Sequence, residues 1–185
     1  MKNVLLISEE KLKYFSELDP NIDYEELILP WIKVSQDTNL QETIGSKFLK
    51  GLYDGVRTNT LSQTYKDLIN NYIADLLIHY TIFNALPTIS MRIKQAGVVR
   101  NNTETGQGID NSDVRMLRQQ HKELGQFYTT RLLEELCDNP TKYPLYVNPG
   151  TEGMMPNKRS NGYKNGFAFP KKGRYNSDNA PSSNS

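Results

Sequence analysis

From Asp138 onward the chain loses the means to build a core. The closing 48 residues, DNPTKYPLYVNPGTEGMMPNKRSNGYKNGFAFPKKGRYNSDNAPSSNS, are rich in Pro, Gly, Asn and Ser. They carry no helical or alternating apolar period, and composition alone assigns them to disorder. They do carry spaced aromatics: Tyr143, Tyr146, Tyr163, Phe167, Phe169 and Tyr175. An arm of this kind orders by lying on another surface, often another subunit. The plainer alternative is that it packs on its own domain. The folding unit is therefore expected within residues 1–137, with 138–185 as an extended C-terminal arm ordered by assembly contacts.

Charge divides at about the same place. From Gly150 onward Lys158, Arg159, Lys164, Lys171, Lys172 and Arg174 stand against Glu152 and Asp178, a net of +4. The whole chain is +1, so the remainder is −3. A basic arm on a mildly acidic body suits nucleic acid or an acidic protein surface, and equally a solvated tail. One cysteine, Cys137, cannot form an internal disulfide. The apolar run Val4–Ile7 is too short for a signal peptide, and no stretch approaches the roughly 20 apolar residues of a membrane span. A soluble protein made in a cytoplasm is expected.

Residues 1–137 read as three or four helices and one hairpin. Val4–Ile7 forms a short strand or extended lead-in. Ser8 caps a short helix with Glu9 and Glu10 in its first turn and Leu12 and Phe15 facing inward. Asp23, with Glu26 three residues on, caps a longer helix carrying Leu27, Trp31, Val34, Leu40 and Ile44. Pro30 predicts a kink near residues 26–30 or a restart. Gly45 stops this region, Phe48, Leu49 and Leu52 add a turn of helix, and Tyr53-Asp54-Gly55 reads as a turn. Thr60 and Gln63 open the clearest helix, with Leu61, Tyr65, Leu68, Tyr72, Ile73, Leu76, Tyr80 and Phe83 at helical spacing and Ile69, Leu77 and Ile78 beside them. Such a helix is buried on more than one side and ends at Pro87. Ile89, Met91 and Ile93 alternate with polar residues, which predicts a β-hairpin at about 89–100 turning at Gln95-Ala96-Gly97. After a polar loop, Ser112 caps the last helix, with Val114, Leu117, Leu124, Phe127, Tyr128, Leu132 and Leu136 as its stripe. Asn139-Pro140 stops it.

Catalytic and metal-binding patterns are missing from this reading. His79, inside the buried helix, and His121, among polar residues of the last helix, sit in no metal-ligand spacing, and each reads as a core or surface histidine. Gly106-Gln107-Gly108 lies in a polar loop, outside the strand–helix context of a phosphate cradle. Glu9-Glu10, Glu25-Glu26 and Glu134-Glu135 are adjacent on helices and do not face each other. Cys137 reads as a small buried residue. No catalytic residue, cofactor or metal is expected. The stronger rival is nucleic-acid binding: the arm interleaves its six basic residues with Tyr163, Phe167 and Phe169, which suits phosphate contact plus base stacking. The last helix, however, mixes Arg115, Arg118, Lys122 and Arg131 with Glu123, Glu134 and Glu135 and makes a poor recognition helix.

The order of these pieces resembles the head–tail connector, or adaptor, proteins of tailed bacteriophages, most of all those of crAss-like phages. The resemblance rests on Leu6-Ile-Ser-Glu-Glu-Lys-Leu12, on Leu40-Gln-Glu-Thr-Ile-Gly45, on the segment Ile93-Lys-Gln-Ala-Gly-Val-Val-Arg100 with its polar loop, and on Asn139-Pro-Thr-Lys-Tyr-Pro-Leu-Tyr146. It covers residues 5 to about 147. It implies a non-enzymatic virion component at the head–tail junction, a homo-oligomeric ring of about twelve copies around the DNA channel. Such a ring contacts the portal protein above and a tail ring protein below, with at most non-specific contact to channel DNA. On this reading Tyr143, Tyr146, Tyr163, Phe167 and Phe169 anchor the arm to a neighbour or the portal. Lys158, Arg159, Lys164, Lys171, Lys172 and Arg174 then meet acidic protein groups or DNA.

Overall fold

A computed structural model of the protein describes residues 4–16, 23–95, 111–151 and 153–157, with backbone alone at 91–95 and 111. The described chain is mainly helical. Helix α1 (Glu9–Phe15) starts where Ser8 Oγ accepts the Lys11 N–H at 3.2 Å. Its apolar stripe is one residue wide: Leu12 is fully buried, but Phe15 is 58 % exposed beside exposed Tyr14. The inward placement expected of Phe15 is thus corrected, because a helix this short offers the body only one turn.

Asp23 caps α2 (Tyr24–Leu27), accepting the Glu26 N–H at 3.1 Å. The chain then restarts as α3 (Leu29–Ser35), with Pro30 in the first turn, where its missing N–H removes no hydrogen bond. A π-helical turn, Gln36–Leu40, leads into α4 (Gln41–Ile44). Gly45, at φ +82°, ends α4 and opens α5 (Ser46–Thr58). The turn expected at Tyr53-Asp54-Gly55 is helix instead. The helix runs on to Asn59, whose left-handed backbone (φ 53°) directs its N–H to the Gly55 and Val56 carbonyls.

Helix α6 (Gln63–Leu68) begins after Ser62, two residues later than the Thr60 cap predicts; Thr60 Oγ1 pairs with Thr58 Oγ1 instead. A second π-helical turn, Ile69–Ile73, joins it to α7 (Ala74–Gln95). Leu68, Ile73, Leu76 and Leu77 are essentially solvent-free, and Ile69 and Ile78 are buried beside them, as the two-sided apolar pattern requires. Pro87 does not end this helix but lies inside it. The β-hairpin expected at 89–100 is corrected over 89–95, which is helix; residues 96–100 lie outside the described residues.

The neighbouring helix explains why α7 passes through proline. Pro87 lacks the N–H that an α-helix would direct at the carbonyl of Phe83. Arg118 of α8 (Asn111–Asp138) supplies that donor: its Nε–H reaches Phe83 O at 3.3 Å, with the guanidinium 4.4 Å from the Phe83 ring centre. Ser90 Oγ–H donates to the Pro87 carbonyl at 2.8 Å. With both carbonyls satisfied, continued helix competes well against an isolated two-stranded hairpin, which is marginal in water.

α7 and α8 run antiparallel. Tyr72 meets Glu135, Asp75 meets Arg131, Tyr80 meets Gly125 and Thr129, and Phe83 meets Arg118. A Cβ on Gly125 would stand 3.0 Å from the Tyr80 ring, so glycine is what lets the helices approach there. α7 packs on α8 on one side and on α3 on another. The short helix α9 (Pro144–Val147) closes the far end against α5.

Candidate functional site

Pro144 opens α9 and sets Tyr143 and Tyr146 three residues apart, so both rings point to one side. That side is the chain's own core. The two tyrosines are 3 % exposed and join Phe48 of α5 and Tyr65 of α6 in an aromatic cluster, with ring centres 5.8–6.5 Å apart. The Tyr143 hydroxyl donates to Glu135 Oε1 at 2.9 Å, and the Tyr72 hydroxyl donates to Oε2 at 3.3 Å. One carboxylate on α8 thereby ties the second π-helical turn to the residue that caps α9. Burial first, and then the Glu135 contact, raises the pKa of Tyr143. The phenol stays a donor at any ordinary pH.

Beyond α9 the chain forms a strap, described at residues 148–151 and 153–157, over the α4–α5 junction. The Tyr146 hydroxyl donates to the Asn157 carbonyl at 2.6 Å. The Asn157 N–H donates to the carbonyls of Thr43 (3.1 Å) and Glu42 (3.3 Å), which the end of α4 leaves open. The Ser46 N–H, an orphan of the α5 start, donates to Met154 O at 2.9 Å, and the Met154 N–H returns to Ser46 Oγ at 2.8 Å. Lys47 Nζ donates to the Asn148 carbonyl at 3.3 Å. Gly45 is the seat: a Cβ there would meet the Pro156 ring nitrogen and Cδ at 2.9 Å. Two helix ends and the strap therefore complete one another's hydrogen bonds. Between strap and α5 lies an open cleft of about 620 Å³ bordered by Lys47, Lys50, Gly150 and Thr151.

Tyr143 and Tyr146, expected as anchors on another subunit, thus anchor the strap to its own body. Tyr143, Tyr146, Met154, Pro156 and Asn157 pack on the chain's own domain. The reason is that α9 gives these two tyrosines a common face, which a reading by composition does not detect. Lys158, Arg159, Tyr163, Lys164, Phe167, Phe169, Lys171, Lys172 and Arg174 lie outside the described residues.

Two features escaped the sequence pattern. First, apolar side chains stand exposed on α1 (Tyr14, Phe15), on α8 (Met116, Phe127) and on the strap (Met154, Met155). Met116 and Phe127 are eleven residues apart, about three helical turns, and share a face. Phe127 and Tyr128 were both expected in the stripe, yet adjacent helical residues point about 100° apart; Tyr128 takes the inner place. Second, the chain's only two histidines meet. His79 Nδ1 lies 3.1 Å from His121 Nδ1, and Tyr128 stacks on His79 at 5.3 Å and 12°. Burial first, and then His121, lowers the pKa of His79 to about 4.

Among the described residues no three His, Cys, Asp or Glu side chains group as a metal site, and no helix is long and apolar enough to cross a membrane. No curated protein and no solved structure matches the chain. One family model does, over residues 40–153, which takes in Leu40 at the end of the first π-helical turn, α4 to α9 and the first part of the strap. The chain belongs to that family, the family of unknown function DUF6712.

Proposed function

We propose that the chain is a structural subunit of a virion ring, set between the portal vertex of a tailed-phage capsid and the tail around the DNA channel. The observation that carries this reading is the strap. It fixes Asn157 to the end of α4, one position before the basic and aromatic residues of 158–175 begin in the sequence. A tethered segment pays less entropy on docking than a free one and suits contact with a neighbour, the portal or a tail ring protein. The exposed apolar side chains of α1 and α8 give the body surface of the kind used between subunits. In a closed ring each copy uses two different patches, one for each neighbour. No catalytic role is proposed.

The test is the native mass of the purified chain, alone and mixed with a portal protein, beside a chain lacking residues 158–185. Expected are rings of about twelve copies for the full chain, and a folded truncated chain that assembles poorly. A full chain that stays monomeric with the portal, or a truncated one that assembles as well, would overturn the proposal. Salt-dependent DNA binding that disappears with residues 158–185, without ring formation, would favour the nucleic-acid reading instead.

A further inference from the structure

We propose that His79 and His121 form a proton-operated latch between α7 and α8: the pair holds the helices together while it carries at most one added proton, and a second proton forces them apart. The geometry is specific. The ring centres are 5.4 Å apart and the Nδ1 atoms 3.1 Å, a difference of 2.3 Å, or twice the distance from an imidazole centre to its nitrogen. Centres and nitrogens therefore lie nearly on one line, and the two Nδ1 lone pairs point head-on at each other. That arrangement suits a single N–H···N bond, one ring donating and the other accepting. It suits a metal ion poorly, because an ion bound by both nitrogens needs lone pairs that converge on a point beside the line.

The proton balance follows. In the neutral pair one proton lies between the rings and the other is on the Nε2 of the accepting ring. One further proton can enter at the Nε2 of the donating ring, which leaves the central bond in place and makes it charge-assisted. A second added proton has only the accepting Nδ1 left. Two N–H groups and two positive charges would then face each other at 3.1 Å in a largely buried setting, with Tyr128 covering His79. The pair titrates as a unit rather than as two independent histidines.

The described charged groups on the packed elements are engaged elsewhere or exposed. On α7, Asp75 lies one turn from His79 and is engaged by Arg131 of α8 at 3.8 Å. On α8, Arg118 is held at Phe83, Glu123 accepts from Gln119 at 2.8 Å, and Lys122 is exposed. From α3 and the π-helical turn, Lys33 and Asp37 bond each other. From α2, Glu25 and Glu26 are exposed. None of these charges contributes to the depressed pKa of His79, which burial and His121 account for. The sign is that of a lowered histidine: stability is complete above the unfolded pKa near 6.5 and is lost as pH falls toward about 4.

The test is imidazole NMR on the full chain across pH 8 to 3.5, with amide hydrogen exchange along α7 and α8. Only two histidines exist, so one variant assigns both signals. Expected is one proton uptake, followed by a second held to about pH 4 or below, with exchange in residues 74–90 and 117–132 accelerating as the second proton enters. The double variant His79→Gln/His121→Gln should lose the acid-linked fall in stability, which in the wild type approaches tenfold in the unfolding constant per pH unit. Two independent titrations near 6.5 in the folded protein would overturn the latch. So would an acid profile of the double variant that matches the wild type.

Discussion

Arg118→Met tests whether α8 completes the helix that Pro87 interrupts. Methionine keeps much of the side-chain length and removes both the Nε–H donor to Phe83 O and the cation over the Phe83 ring. The site is exposed, so the hydrogen bond is worth the low end of the usual range, about 1 kcal/mol. The cation–π contact at an exposed position adds about 0.5–1 kcal/mol. The expected loss is therefore about 1.5–2 kcal/mol, read as a lower midpoint in urea denaturation at unchanged slope. The decisive arm is a double-mutant cycle with Pro87→Ala. Alanine restores an N–H at position 87, and the Phe83 carbonyl regains its own helical partner. In that background Arg118→Met should cost only the ring contact, about 0.5–1 kcal/mol, leaving a coupling of about 1 kcal/mol. Additivity within about 0.3 kcal/mol would refute the reasoning, because it would mean that Arg118 acts independently of the missing N–H.

Other expectations concern the core and the strap. Leu76→Ala, at a fully buried position, should destabilise by about 2–5 kcal/mol in the same assay, and a loss under 1 kcal/mol would contradict its burial. Gly45→Ala forces a side chain into a backbone region with φ +82° and into Pro156, for about 1–3 kcal/mol of strain. It should also release the strap to protease between residues 148 and 157; unchanged cleavage would show that the strap is not seated there. Tyr146→Phe removes the 2.6 Å bond to the Asn157 carbonyl, costs about 0.5–1.5 kcal/mol, and should raise cleavage at the strap while leaving α7 and α8 protected from hydrogen exchange.

Of the expected caps, two were legible, whereas the helix at Thr60 starts after Ser62 and Ser112 lies inside α8. Ser8 and Asp23 stand where the pattern puts them, because a cap is a local bond between a side chain and an N–H three residues on. The buried stripe of α6 and α7 was legible too, since its period runs through Leu68, Ile73 and Leu76. Pro87 was misread because its solution is not local: Arg118 is 31 positions away and nothing near residue 87 announces it. The alternation at Ile89, Met91 and Ile93 fits a strand over so few residues that only the helix on either side of Pro87 decides the matter. Tyr143 and Tyr146 were singled out as anchors, but the partner was wrong. Composition registers that a segment lacks aliphatic side chains, not that two tyrosines and a glycine at position 45 can seat it. The meeting of His79 and His121 depends on the antiparallel alignment of α7 and α8 and leaves no trace in spacing.

The π-helical turn at Gln36–Leu40 gives α3 and α4 different phases. One extra residue in a turn rotates everything after it by about 100°. Ser35 and Gln36, where the turn begins, are both fully enclosed. The Gln36 carboxamide pairs with the lead-in: its Oε1 accepts the Leu6 N–H at 2.7 Å, and its Nε2 donates to Val4 O and to the Tyr53 hydroxyl. The lead-in is thus paired with a side chain, as an edge strand would be paired with a backbone. Removing any one residue from 36–40 would leave a more regular helix and a worse protein. Either α3 would present the wrong face to α7 or α4 the wrong face to α5, and residues 4–7 would lose the group that holds them. Length in this segment is therefore as strictly specified as residue identity, and an insertion or deletion there should be tolerated less well than most substitutions.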